Sequence, residues 1–548
     1  MTVSRELSTL VNAGLNGQHD RRCLLKLAGA AAVASGIAIQ MPGVARRTSA
    51  QAENNVFIYG SGQDMSNLDP HTGNDYSILW GQRATYDSLL RYQGDPLTVH
   101  PLLASEVIGS DDATVWTINL DPAATFQDGS SVNGEAVKWN FERLIAKNLG
   151  VAWMFSAIMT ADSVAVVDPQ TIEITLTAPF APFDLILPYL FIANPTLVME
   201  NEVDGDMGEG WLLSNTAGGG PYTMSRYEPG SLYQFDRNPD YWFETPNNSN
   251  PVDTFVWRII RESSTKRIAL EAGDVQYTDT LSVEDAEGLS ADERFVVNDR
   301  GGFSPFSIKL NNQVGPTSDI NVRKALAALF DYDAALGAVS DRGERLIGPL
   351  PAALEDWANP DLEVINFDVE AAKAYLAESE YPDGFDLEYV YVTGLAMEEA
   401  FGLILLEKAA ELGINVTITP LVWPDMVARA SSAETMPGAM AVFASANYYD
   451  PDNYLWPQYH STQVGGWAAA SWYQNPDFDA LIEQGRSLVD PTERKAIYDQ
   501  AQQMLVDDQV EIWVYTEIAN DAWVAELGDN YFEIIGGSDI RNITYTQA

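Results

Sequence analysis

An α/β fold of more than one lobe is what this sequence predicts, and three observations carry it. Strand-like and helix-like periodicities alternate along most of the chain, the pattern of layered α/β domains. The length of 548 residues exceeds the roughly 250–300 at which a single hydrophobic core stops growing. Hydrophobic residues make up 46% of the chain and charges are dispersed among them, which excludes an acidic disordered tail. No repeat or low-complexity block interrupts the pattern.

The N-terminus reads as an address. Asp20-Arg21-Arg22-Cys23-Leu24-Leu25-Lys26 resembles the twin-arginine export signal, with Asp20 where Ser or Thr is usual. The apolar stretch from Leu27 to Met41 is too short to span a hydrocarbon core of roughly 30 Å comfortably. Ala50-Gln51-Ala52 then offers a small-x-small cleavage site. Residues 1–52 are therefore expected to be a signal peptide; a retained, membrane-associated segment is the alternative. The lone cysteine, Cys23, precedes the apolar stretch, so the mature chain is expected to carry no lipid anchor, disulfide or thiolate metal site.

Charge excludes some partners. The chain carries −47 overall, and residues 1–52 hold six basic and two acidic residues, leaving −51 on the rest. Such a field repels nucleic acid and anionic membrane surfaces. It fits a solvated acidic surface in high salt, where screening shortens repulsion to about 3 Å at 1 M. Growth at low pH is the rival explanation.

The elements follow in order. Asn55 to Tyr59 is a first strand, Asn67-Leu68-Asp69-Pro70-His71 a turn, and Tyr86 to Leu90 the end of a helix. Thr114 to Leu120 alternates as a half-buried strand. Asp128-Gly129 marks a turn, Asn133 is placed to cap a helix, and Glu135 suits the positive end of its dipole. Val137, Phe141, Leu144 and Ile145 form that helix's apolar stripe. Thr171 to Leu176 is another alternating strand, and Gly273 is a natural C′ residue for a helix ending there. Beyond Phe303 the pattern gives helices over Val322–Phe330, Ala371–Leu376 and Glu398–Leu412, the last closed by Gly413. Strands follow at Phe385–Tyr391 and Val416–Val422, two helices within 477–507, and a late strand at Ile512–Tyr515.

Several phrases share one resemblance. FQDGSSVNGEAVKWNFERL, from Phe126 to Leu144, is similar to the N-terminal signature of solute-binding proteins that serve oligopeptide and dipeptide ABC importers. Asp69-Pro70-His71, Tyr86 to Leu90, Pro101 to Glu106, Gly218 to Tyr222, Asn238 to Trp242, Ile268 to Val275, Val322 to Phe330 and Gly348 to Pro351 follow in the family's order. The resemblance implies a two-lobed periplasmic-binding-protein type II fold with an extra N-terminal subdomain. Lobe I is expected from 53–93, 218–302 and 516–548, the inserted subdomain from 94–217, and lobe II from 303–515, with a hinge near Phe303 and Thr516. It further implies a monomer, exported to the periplasm or outside, that closes over a small solute or peptide and delivers it to ABC permease subunits. Those subunits are other chains, since this one has no P-loop.

The candidate site also comes from the resemblance. Ala444 to Trp456 resembles the family's D-x-x-D-P-D-N-F loop, in which an acidic residue of peptide-binding members pairs with the ligand's α-ammonium. That place falls on Asn447, which accepts a hydrogen bond but carries no charge, so a zwitterionic dipeptide is not the expected ligand. Tyr76, Trp80, Phe306, Trp423, Tyr448 and Tyr449 lie in segments similar to pocket-lining regions, and Asp450 completes the set. Rings also build ordinary cores, and Asp450 could simply brace its Asp-Pro turn. An oligopeptide held mainly through its backbone is the first ligand expectation, ahead of an oligosaccharide and then a nickel chelate or other small solute.

Enzyme chemistry has little support. Past the signal only His71, His100 and His460 remain, far apart and without a H-E-x-x-H pair. No G-x-S-x-G elbow occurs, and Gly218-Gly219-Gly220 lacks the Lys-Ser or Lys-Thr of a phosphate loop. No cofactor or metal is expected.

Overall fold

The structure, a computed structural model, describes residues 55–65, 67–73, 78–94, 97–244, 251–444, 447–527 and 538–545. The expected signal peptide and the candidate Tyr76 lie outside the described residues.

Three larger sheets organise the molecule. A seven-stranded mixed sheet runs in the order Tyr222–Glu228, Leu232–Arg237, Thr254–Ile259, Val56–Ser61, Tyr277–Thr278, Ala522–Val524, Phe295–Val297. Val56–Ser61 lies in its middle, parallel to both neighbours. Phe57, Phe255, Phe235 and Trp257 are fully buried together on one face of it. The second sheet has six strands, Gly343–Arg345, Glu511–Glu517, Pro305–Leu310, Ala439–Phe443, Asp386–Val392 and Asn415–Leu421. Helices Ile320–Leu329 and Ala396–Ala409 contribute Leu326, Leu329, Phe401 and Leu405 to its core. The third sheet is antiparallel and four-stranded, in the order Ala104–Gly109, Val115–Leu120, Thr171–Thr175, Val164–Asp168.

Helix Gly134–Lys147 packs beside this third sheet. Asn133 caps it, its Oδ1 accepting from the Ala136 N–H at 3.0 Å, while Val137, Phe141 and Leu144 are buried. The Asp128-Gly129 turn has Gly129 at φ +82°, and the Asp128 side chain accepts from Ser130 N–H at 2.9 Å. Gly218 and Gly220 serve close approach rather than phosphate: a Cβ there would lie 2.0 Å from Thr85 O and 2.4 Å from Thr85 C.

One expected element differs. The helix ends at Thr85, and Asp87–Ser88 and Leu90–Gln93 are short strands paired with Phe191–Ile192 and Thr98–Pro101. The Gly218–Gly220 backbone crowds Thr85 and Tyr86, and Tyr86 turns extended instead of continuing the helix. The chain runs between the seven- and six-stranded sheets at two adjacent places. Gly302 N–H donates to Glu517 O at 2.9 Å, and Pro305 pairs with Thr516. Among the described residues no helix is long and apolar enough to cross a membrane.

Candidate functional site

The loop from Asn447 to Asp452 is held from below. Asp450 is fully buried, and its carboxylate takes both Arg494 guanidinium nitrogens, Nη1 to Oδ2 at 2.7 Å and Nη2 to Oδ1 at 2.8 Å. The same Oδ1 accepts the Asp452 N–H at 2.9 Å, so Asp450 does brace its turn. Burial pushes the Asp452 carboxyl above the usual carboxylate range, although Arg486 Nε stands 3.2 Å away. The Arg486 guanidinium lies over Trp456 at 3.8 Å and over Phe180 at 4.9 Å, tying the loop to the segment that follows the four-stranded sheet. Helix Asp452–Tyr459 then continues from the Asp-Pro turn.

The two tyrosines are also built in. Tyr448 donates its hydroxyl to Asp452 Oδ2 at 2.9 Å and meets Phe180 edge-on. The Tyr449 hydroxyl donates to Ala353 O at 3.2 Å, and its ring packs edge-on against Phe303. Both are buried in the large cluster that also holds Tyr92 and Tyr189. Trp80 is buried among Phe57, Tyr59, Phe255 and Tyr277 in the core of the seven-stranded sheet. Phe306 is equally buried between Phe401, Phe443 and Tyr515 in the other. Trp423 is the exposed ring of the set, 42% accessible, and forms an edge-to-face pair with Trp467. It follows strand Asn415–Leu421, at the carboxyl end of a parallel pair, where α/β sheets present ligand crevices.

Asn447 stands at a cavity. Its backbone N–H and side-chain Nδ2 donate to Asn453 Oδ1 at 3.0 and 3.4 Å. The cavity, about 60 Å³, is walled by Asn447, by Pro70, Ile78, Leu79 and Gln82, by Val151, Trp153 and Met154, and by Tyr189 and Phe191. Of the sequence-derived candidates, Asn447 alone is a wall residue among those described. Of the other wall residues only Pro70 falls in a motif, Asp69-Pro70-His71, among those described. The rest are mostly apolar positions brought together from three distant stretches, 70–82, 151–154 and 189–191, which a single sequence cannot align.

A buried polar cluster sets the wall. Arg143 Nη1 and Nη2 donate to Asp69 Oδ1 and Oδ2 at 2.8 and 2.6 Å, and Nη1 reaches His71 Nδ1 at 3.0 Å. His71 Nε2 bonds Phe191 O at 3.0 Å, which assigns its proton to Nε2. Burial and the neighbouring Arg143 charge push the His71 pKa down to about 4, so the ring is neutral at pH 7. Burial would raise Asp69, but hydrogen bonds and charge from Arg143 hold its pKa below the usual value. Among the described residues no group of three or more His, Cys, Asp or Glu side chains could hold a metal.

The site combines lobed α/β sheets, a cavity bordered by several segments, and a loop whose carboxylates are held by neighbouring arginines. Proteins of this class capture solutes. The profile of the bacterial extracellular solute-binding proteins, family 5 (middle region), matches residues 98–466, and the chain belongs to that family. It is 27% identical over 471 residues to the probable D,D-dipeptide-binding periplasmic protein DdpA of Escherichia coli K12, covering 84% of this chain and 88% of that one. Its fold matches HbpA2 of Haemophilus parasuis with a TM-score of 0.81 at 22% identity, over 90% of this chain and all of that one. It likewise matches the ABC transporter-associated periplasmic binding protein DppA of Helicobacter pylori in complex with the peptide STSA, with a TM-score of 0.71, 22% identity and coverage of 89% and 98%. The two-lobed α/β architecture of the family is therefore the fold of this chain.

Proposed function

We propose that this chain is the exported substrate-binding component of an ABC importer, and that its solute is an oligopeptide gripped mainly through its backbone. The observation that carries this reading is the position of Asn447. It is a neutral side chain at a cavity bordered by residues from 70–82, 151–154 and 189–191 as well as by its own loop. A relative named for D,D-dipeptides and a structural neighbour holding a peptide support the same ligand class. In this reading lobe I is 53–93, 218–302 and 516–548, the subdomain is 94–217, and lobe II is 303–515. The adjacent crossings at Gly302 and Glu517 are the hinge. Ligand stabilises the closed form only by its differential affinity for it. Asn447 and Trp423 contact ligand, and Tyr448, Tyr449 and Asp450 hold the loop in place. The protein works as a monomer, without turnover, after twin-arginine export and cleavage behind Ala52.

The test is binding without conversion. Incubated with a peptide mixture, the purified protein should retain peptides detectable by native mass spectrometry, unchanged in mass. Its melting temperature should rise with peptide concentration by mass action, and scattering should show a more compact particle. Recovery of an oligosaccharide or metal chelate, with no peptide bound, would replace the peptide assignment. Steady hydrolysis of the retained ligand would replace the receptor.

A further inference from the structure

The cavity beside Asn447 has a composition and a size that select among ligands. Ile78, Leu79, Met154, Phe191 and the Tyr189 ring give it largely apolar walls, and the polar groups of the lining, on Gln82, Asn447, Tyr189 and Trp153, are uncharged. Gln82 is already occupied, its Nε2 donating to Asp69 O at 3.2 Å. Among the described residues no charged side chain lines it. An ammonium or carboxylate placed there would lose its water without gaining a counter-ion from the described residues, whereas an apolar group would gain contact. At about 60 Å³ the space is well under the roughly 150 Å³ of an apolar cavity that accepts benzene.

One wall residue is unlike the rest. Trp153 keeps 47% of its surface in water while lining the cavity, whereas its neighbour Met154 is buried. Trp153 belongs to the short helix Ala152–Ser156, and the chain leading into it is tightly seated. Gly150, at φ +55°, lies so close to the opposing loop that a Cβ would stand 2.4 Å from Gly73 O and 3.0 Å from His71 O. His71, whose carbonyl takes part in that contact, belongs to the Arg143–Asp69–His71 cluster. The wall carrying Trp153 is thus held by backbone packing against a loop that a buried ion pair anchors, and the half-exposed indole lies where the cavity meets solvent.

Resting on the peptide-receptor reading, we propose that this cavity is a subsite for one small, uncharged, apolar side chain of the ligand, of alanine to valine size, and that Trp153 of the 94–217 segment sets the size limit. A ligand group entering the mouth covers the exposed indole face, so the segment takes part in selection as well as in architecture.

The experiment is a tripeptide panel, each position in turn Ala, Val, Phe, Lys or Glu, with free and acetylated N-termini, titrated by calorimetry against wild type, Trp153→Ala and Val151→Phe. Wild type should show one position at which Ala or Val binds at least tenfold more tightly than Lys, Glu or Phe. Trp153→Ala should move that optimum towards Phe, and Val151→Phe should narrow it to Ala. Both variants should melt within a few degrees of wild type, which separates selection from misfolding. If peptides bind but Lys or Glu is favoured at every position, or Trp153→Ala leaves the size preference unchanged, the cavity is a packing void and the subsite is refuted. If no peptide in the panel binds wild type at all, the peptide reading itself fails and the subsite with it.

Discussion

The guanidinium of Arg143 is held at two points by the carboxylate of Asp69, at 2.8 and 2.6 Å, with both side chains fully shut off from water. Arg143 lies within the helix Gly134–Lys147 and Asp69 in the turn after the first strand of the seven-stranded sheet, so the pair fastens that helix to that turn. Removing one partner of such a pair strands a buried charge. Arg143→Met should lower stability by about 3–5 kcal/mol. The double variant Arg143→Met with Asp69→Asn should recover part of the loss, because no charge is then left unpaired. Denaturant melts of the two single variants and the double complete the cycle, and strictly additive losses would show that the pair is not coupled.

His71 makes the same cluster sensitive to acid. Its folded pKa is pushed down to about 4, so below pH 6.5 the unfolded chain binds a proton that the native chain refuses. Stability from this residue falls as the pH drops from about 6.5 to 4, by roughly 3 kcal/mol in all. Buried carboxyls act in the opposite sense. Burial raises Glu398 to about 7 and Asp521 to about 6, and burial with the Asp450 charge raises Asp184 to about 6. Their contribution is fully present below the ordinary carboxylate pKa and lost as pH rises through those values. The His71 share is isolated by difference: in His71→Gln the stability-versus-pH curve between 4 and 6.5 should lose about one proton of slope. An unchanged slope would show that His71 titrates normally in the fold.

What was legible in the sequence was local. Asn133 caps its helix, and Gly273 and Gly413 end theirs at φ +77° and +72°, because caps depend on a few adjacent residues. The strand-order of the sheets was not legible from periodicity: Val56 pairs with Thr254, nearly two hundred residues away. The family resemblance pointed to the loop that holds Asn447, but not to the cavity walls. Asp69-Pro70-His71 and the Glu142-Arg143 pair of the signature helix both fall in family motifs, yet nothing in either says that they meet. Aromatic content also could not separate Trp80 and Phe306, which are buried in sheet cores, from Trp423, which is exposed beside Trp467. Ring type is the same in both settings, and only burial distinguishes them.

Asp450 provides a second separation of structure from recognition. Both of its oxygens are taken by Arg494, a residue 44 positions further on, and neither faces water. Asp450→Asn should therefore destabilise the protein by about 3 kcal/mol, as expected for breaking a buried pair. Its preference between free and acetylated peptide N-termini should stay that of wild type. A changed preference at unchanged melting temperature would instead put the Asp450 carboxylate in contact with ligand.

Asn447 is where charge would alter the ligand. It lines the cavity as a neutral amide, and the family resemblance sets it where peptide-binding members carry an acid. Wild type should then discriminate little between free and acetylated N-termini. Asn447→Asp places a carboxylate beside walls that offer it no cation among the described residues, so the unliganded protein bears a desolvation penalty and neutral ligands lose affinity. A free ammonium supplies the missing partner, and a charge pair closed off from water can be worth several kcal/mol when its geometry is good. The substitution should therefore weaken acetylated peptides and strengthen free ones, widening the ratio of their dissociation constants at least tenfold, a shift of about 1.4 kcal/mol. Calorimetry of both proteins with one matched peptide pair decides the matter: an unchanged ratio removes Asn447 from the ammonium-binding place and leaves the cavity beside it to act through shape alone.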